Sequence, residues 1–258
     1  MLVIDIINHI NTFAPLSLAE PWDNVGLMVG SSQWRASKIG VALDPDVHVL
    51  EEARGEKCDC LVVHHPLIFS PLKTIDLESP VSLVIQKALE YGIAVISVHT
   101  NWDKAREGVN VQLARPLLKE GFLPLLPMEN SEGLGAWGSL LKPCSLQNLM
   151  VKLRNDWNLS WVTGYGEPDR IVKTAALCGG SGGDLWTAAL DKGADVYIAA
   201  DMKYHQILDA CSLGMALCVV DHGEMERYSL AALCRLMALS NLPVVQLKDK
   251  GPNRLQIE

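Results

Sequence analysis

The chain has 258 residues, 49% of them hydrophobic and 20% charged, with a net charge of −8 and a pI near 5.4. Such a chain is long enough for one large domain or two lobes of ordinary size. An acidic balance with no run of Lys or Arg argues against a surface built on many cationic contacts to duplex phosphates, so a nucleic-acid partner is not expected. Seven cysteines at irregular spacing exclude a secreted disulfide framework. The first residues carry Asp5, Asn8 and His9 with no basic leader, and the most apolar segment, Leu230 to Leu239, is interrupted by Arg235. A membrane span is therefore not expected, and a reducing cytoplasm is the expected location.

Residues 1–13 carry Ile4, Ile7 and Ile10 at helical spacing. In AEPWDNVGLMVG, residues 19–30, Pro21, Asp23, Asn24 and Gly26 predict a turn, with Trp22, Val25 and Leu27 as its anchors to the core; an Asp-Asn pair lining a pocket is the alternative. KIGVAL (38–43) predicts a strand and VHVLEEARGE (47–56) a helix, with Asp44 as its cap and Pro45 as its first residue. CDCLVVHH (58–65) is the next strand, with Cys58 and Cys60 as core thiols. Pro80 opens a helix stopped by Gly92, IAVISVHT (93–100) is a strand, and VQLARPLLKE (111–120) is a helix.

Between Phe122 and Arg170 the pattern weakens at Pro124, Pro127, Gly133, Gly135 and Gly138, which sets an expected division into residues 1–125 and 126–258. SLQNLMVKLRNDW (145–157) is a helix and LSWVTGYG (159–166) a short strand. The second half then repeats the first. TAALCGGSGGDLWTAALDKGADVYIAADMKYH aligns with IGVALDPDVHVLEEARGEKCDCLVVHHPLIF, and LGMALCVVDHGE with YGIAVISVHTNW. Strands alternating with helices predict two similar α/β lobes with largely parallel sheets, an internal duplication whose strand tips are expected to face one cleft.

The chemistry-bearing residues fall at predicted strand ends, where α/β proteins keep their ligands. LVVHHPLIF is a buried-type apolar run delivering His64 and His65; Pro66 ends its ladder so that both rings project from the tip. His99 and Asp103 follow the next strand, and Asp201, Asp221 and His222 end strands of the second half. His222 and Glu226 lie four apart on a predicted helix and share a face. His64, His65, Asp103, His222 and Glu226 make a nitrogen and oxygen set suited to Zn, Mn, Fe, Co or Ni and poor for Ca. Five ligands suit two divalent ions sharing a carboxylate. His99 and His205 are candidates for orienting groups around that set, His99 also as a proton relay, or else are satisfied buried histidines. CGGSGGD (178–184) reads as a tight turn, with an anion site as the alternative, and Cys178 is the one thiol at a strand tip.

LVVHHPLIF, VISVHTNWD, Gly108-Val109-Asn110, GADVYIAADMKYHQILDA, the His222-x-x-x-Glu226 element and PWDNVGL together resemble the NIF-three-like family, commonly labelled GTP cyclohydrolase 1 type 2 homologs, over nearly the whole chain. The resemblance implies two α/β lobes, a dinuclear metal centre and a toroidal hexamer. It implies that His64 and Asp103 bind one ion, His65 and His222 the other, and Glu226 both. It also implies a metal-dependent hydrolase acting on a nucleotide or related heterocyclic substrate, with a metal-binding adaptor or nucleic-acid-associated scaffold as the alternative. Where the family has Thr-Gly-Asp this chain has Ala199-Ala200-Asp201, and residues 122–170 leave no room for the insertion domain of larger relatives.

Overall fold

The computed structural model describes residues 1–128, 132–249 and 251. An amphipathic helix, α1 (Val3–Ile10), buries Val3, Ile6 and Ile10. It is followed by β1 (Gly26–Val29), β2 (Ile39–Ala42), α2 (Val47–Gly55), β3 (Cys60–Val63), α3 (Pro80–Tyr91), β4 (Ala94–Ser97) and α4 (Thr100–Lys104). Then come α5 (Val109–Ala114), ended before Pro116, and β5 (Leu126–Pro127), β6 (Gly133–Leu134) and β7 (Ala136–Ser145). The second series is α6 (Leu146–Asp156), β8 (Val162–Tyr165), β9 (Ile171–Leu177), α7 (Trp186–Asp191), β10 (Val196–Ala199), α8 (Tyr204–Ser212), β11 (Ala216–Val220), α9 (His222–Ala238) and β12 (Val244–Gln246).

Two compact units result: Met1–Trp102 with Leu230–Glu258, and Asp103–Ser229. The division expected near residue 125 falls inside the second of them. The first unit holds a sheet in the order β1-β4-β3-β2-β12, and the second a sheet in the order β7-β9-β10-β11-β8. Within them β2-β3-β4 and β9-β10-β11 are parallel, while β1 and β8 run antiparallel to β4 and β11. Helix, antiparallel edge strand and βαβαβ recur in the same order and the same neighbour relations, which is the duplication the sequence predicted. The fifth strands differ: β12 is parallel to β2, whereas β7 is antiparallel to β9.

The repeat extends to single residues. Asp59 opens β3 and its carboxylate accepts from Ser37 N (2.7 Å) at the start of β2; Asp195 opens β10 and accepts from Lys173 N (2.8 Å) and Thr174 N (2.9 Å) on β9. Each also offers its backbone carbonyl to the next parallel strand, to Ala94 N and Ala216 N. Burial follows the same logic. β2, β3, β4 and β10 are buried at every position, as expected for parallel strands covered on both faces. Cys58 and Cys60 belong to the core, where burial pushes the Cys58 thiol up to about 11 and the Cys60 thiol higher still.

One predicted cap is corrected. Asp46, not Asp44, caps α2, its carboxylate accepting from Val49 N at 2.7 Å. Asp46→Ala should therefore lower stability by about 1 kcal/mol, read as a drop in thermal midpoint. Asp44→Ala should leave the cap of α2 intact, because that carboxylate bonds the His65 ring instead.

Candidate metal centre

In the first unit β3 delivers His64 and His65, and β4 delivers His99, to the same strand ends. Val62 and Val63 are the last ladder residues of β3, and backbone bonds from His64 N and His65 N to Ala42 O and Leu43 O carry the chain one step past it before Pro66. The ring centroids of His64 and His65 stand 5.1 Å apart, with His99 at 5.3 Å from the first and 5.9 Å from the second. His64 and His65 offer ligand nitrogens within 4.8 Å of each other, as do His64 and His99.

What surrounds these rings fixes which nitrogen each presents. His64 Nδ1 donates to the carbonyl of Val98 at 2.9 Å; a carbonyl only accepts, so the proton sits on Nδ1, and the Nε2 atom lies buried. His65 Nδ1 donates to Asp44 Oδ1 at 2.7 Å, the bond that occupies the residue predicted as a helix cap. His99 Nδ1 donates to Asp23 Oδ1 at 2.8 Å. The other oxygen of Asp23 accepts from Thr100 N (3.1 Å) and Thr100 Oγ1 (2.5 Å). Burial alone would raise the Asp23 carboxyl, but the bonds from His99 and Thr100 outweigh it and hold the pKa at about 2.

In the second unit β11 ends at Val220, and His222 opens α9 with Glu226 one turn later. His222 Nε2 lies 3.1 Å from Glu226 Oε2, and its Nδ1 donates to Asp201 Oδ2 at 2.7 Å. Burial lowers the His222 pKa, yet Glu226 and Asp201 together lift it to about 9. Asp201 follows β10 with φ of 53°, a left-handed backbone that an L side chain adopts at a cost; its carboxylate also accepts from Ser181 Oγ at 2.7 Å. Asp103, buried on α4, has its carbonyl held by Asn110 Nδ2 at 3.0 Å, and Asn110 Oδ1 accepts from Gly179 N at 2.8 Å. The Gly108-Val109-Asn110 motif thus ties α4 to the glycine-rich loop.

That loop has a steric reason for its glycines. Gly180 has φ of +68°, and a Cβ there would stand 2.2 Å from Glu226 Oε1 and 3.3 Å from His222 Nε2. The backbone must pass close to the carboxylate, so the loop makes room for Glu226 and is more than an ordinary tight turn. Cys178 is fully buried, and burial with the charges of Asp103 and Glu226 pushes its thiol far up, which keeps it protonated and unsuited to nucleophilic attack. His205 stands exposed in the first turn of α8, its ring 5.3 Å from Tyr204.

His64, His65, His99 and His222 therefore share one arrangement, Nδ1 donating to an oxygen, and at His222 the other ring nitrogen faces Glu226. This is the environment of metal-ligating histidines, in which the outer acceptor fixes the tautomer and raises ligand basicity. Asp103 and Glu226 are buried carboxylates of the kind that first-row divalent ions take together with imidazole. Of the three carboxylates that orient the rings, Asp44 reads from sequence as a helix cap, Asp23 only as half of an alternative pocket-lining pair and Asp201 only as a strand-end group; their pairing with histidines 21 to 76 positions away was not legible.

The molecule is an α/β protein of two like series of elements, with His, Asp and Glu groups able to hold metal placed at strand ends. It belongs to the Duf34/NIF3 (NGG1p interacting factor 3) family, whose sequence model matches residues 1–252. It is 31% identical to a GTP cyclohydrolase 1 type 2 homolog of Clostridium perfringens, over 88% of this chain and 87% of the relative, and 29% identical to NIF3-like protein 1 of Drosophila melanogaster, over 96% and 87%. The crystal structure of a Bacillus cereus protein related to NIF3 superposes with a TM-score of 0.93 at 20% identity, covering 100% of this chain and 99% of that one, and so shares the fold. Reduced HcgD from Methanocaldococcus jannaschii superposes with a TM-score of 0.82 at 28% identity, covering 96% and 98%. No helix among the described residues is long and apolar enough to cross a membrane.

Proposed function

We propose that this chain is a cytoplasmic hydrolase dependent on two divalent metal ions, acting on a nucleotide or a related phosphorylated or heterocyclic compound. His64 and Asp103 hold one ion in this reading, His65 and His222 the other, and Glu226 both. The observation that carries it is the uniform pinning of Nδ1 on oxygen at all four histidines, the outer contact that metal-ligating imidazoles keep. The names of the curated relatives supply the substrate class. When bound, such ions supply Lewis acidity and lower the pKa of a water molecule.

The chain's own residues do the rest. Asp44, Asp201 and the Val98 carbonyl keep His65, His222 and His64 in the ligating tautomer and fix their rings. Asp103 and Glu226 bring the negative charge that two cations need. His99, with its proton held on Nδ1 by Asp23, takes up a further proton at Nε2, and Asp23 stabilises the imidazolium that results. The assembly accompanying this reading is a homohexamer, checked by sedimentation.

Metal content measured by mass spectrometry, followed by a screen of nucleotides and phosphoesters, tests the proposal. Wild type should hold close to two ions and turn over one class; His65→Ala and Glu226→Ala should each lose ions and activity together. Tight metal binding with no turnover on any class would favour a metal-binding adaptor.

A further inference from the structure

The sequence predicts that Trp22 anchors its turn to the core, and the structure corrects this: Trp22 is 60% exposed. Its ring meets that of Phe69, itself 54% exposed and borne on a different loop, at 5.8 Å between centroids and 58° between planes. Both rings also stand against His99, Trp22 at 6.4 Å and Phe69 at 6.3 Å. Two large aromatics are thus held in solvent beside the imidazole assigned to proton transfer.

The residues that follow Trp22 tie its turn to His99 and to the loop that bears Phe69. Asp23, its carboxylate shut off from solvent, fixes the turn to His99 and Thr100. Asn24 Nδ2 donates to the carbonyl of Ile68, the residue before Phe69, at 2.6 Å, so the loop bearing the second ring is tethered to the first. In Trp-Asp-Asn, one residue presents a π face, the next ties it to His99, and the third ties it to Phe69. Exposed aromatic surface costs solvation, and rings immobilised beforehand lose little entropy when a flat ligand stacks on them.

We propose that Trp22 and Phe69 form the stacking platform for the planar heteroaromatic ring of the substrate. The wedge recognises a nucleobase or similar flat ring by its face and sets that ring against His99. A flat ring is favoured over a protein partner because the two planes are inclined to each other and adjoin the imidazole cluster within one ring's reach. This inference rests on the hydrolase reading above for its choice of ligand.

The test uses the full chain loaded with manganese, with guanosine and adenosine as ring probes and pyrophosphate as a probe without a ring. Binding is followed by calorimetry and by quenching of tryptophan fluorescence. Trp22→Ala and Phe69→Ala should each weaken nucleoside binding by about tenfold or more and leave pyrophosphate binding unchanged, since base stacking on one aromatic is worth about 1–3 kcal/mol. Trp22→Phe should retain most of the affinity. The proposal is overturned by unchanged nucleoside affinity in both alanine variants, by no nucleoside binding to wild type, or by equal loss for nucleoside and pyrophosphate. A fall in sedimentation coefficient in the alanine variants would likewise overturn it, assigning the face to contacts between copies. Because the probes need not be hydrolysed, stacking without turnover would fail the hydrolase reading alone, and turnover with unchanged KM in Trp22→Ala would fail the platform alone.

Discussion

Gly180→Ala is expected to weaken metal binding at the proposed centre. Its Cβ would arrive 2.2 Å from Glu226 Oε1, well inside van der Waals contact, and 3.3 Å from His222 Nε2. Glu226 Oε1 is the far end of its side chain, so the carboxylate must turn away from the added carbon and give up its place beside His222 Nε2. Metal affinity should fall by at least the 10- to 100-fold typical of a lost supporting contact, and more if the bridging role of Glu226 is correct. The residue also sits at φ of +68°, which adds about 1–2 kcal/mol of backbone cost for an L side chain. Gly193→Ala separates the two effects. Gly193 has φ of +71° with nothing within 4 Å of the added carbon, so it should lose stability by a similar backbone increment while keeping its metal. Metal content and thermal midpoint of the two variants, measured side by side, decide the point; equal metal content in both would remove the assigned role of the loop.

Asp23→Asn should cut turnover by roughly 10²- to 10⁴-fold, the usual span for loss of a positioned proton-transfer group, even though the side chain hardly changes shape. Thr100 N and Oγ1 donate to one oxygen of Asp23, and Asn24 N donates beside His99 to the other; of these groups only the imidazole can turn acceptor, so the carbonyl oxygen is set toward Thr100. The amide NH2 then faces His99 Nδ1, which must accept, and the ring proton is forced onto Nε2, the wrong tautomer for a base. Nitrogen-15 spectra of the His99 ring would show the switch directly. Stability moves as well. A carboxyl held at about 2 against an ordinary 3.8 contributes about 2 kcal/mol that is fully present above pH 3.8 and lost as the pH falls from there through 2. The variant should lack that part of the acid dependence, seen as a flatter stability profile between pH 4 and 2 in urea titrations.

Much of this architecture was legible because burial writes itself into composition. Apolar runs such as CLVV and VYIA mark parallel strands covered on both faces, and Gly92, in a left-handed conformation, closes α3 as read. The short edge strands β1 and β12 were not legible, since so few residues carry no periodicity and their pairing partners are distant. The ten-residue β7 was hidden by its glycines, in a stretch read as loop. Among the candidate site residues, His64, His65, His99 and His222 were readable from their places at strand ends, and Asp103 and Glu226 from their spacing of four from His99 and His222. Asp44 misled because Asp before Pro is also a natural helix start, and only the tertiary fold shows that Asp46 took that role. Trp22 misled because a large aromatic beside a turn usually goes inward; what holds it outward is a set of side-chain bonds from its two neighbours.

The late position of β12 bears on how the protein is made. This strand completes the first sheet by parallel pairing of Val244 with Ile39 and Gln246 with Val41, across about 205 residues of intervening sequence. On a ribosome adding roughly 5–20 residues per second, the outer flank of β2 stays bare for about 10–40 s after it emerges. During that interval the nascent amino-terminal portion offers unpaired N–H and C=O groups to any neighbouring strand. Emergence of β12, rather than of the first half, is the event that seals this sheet.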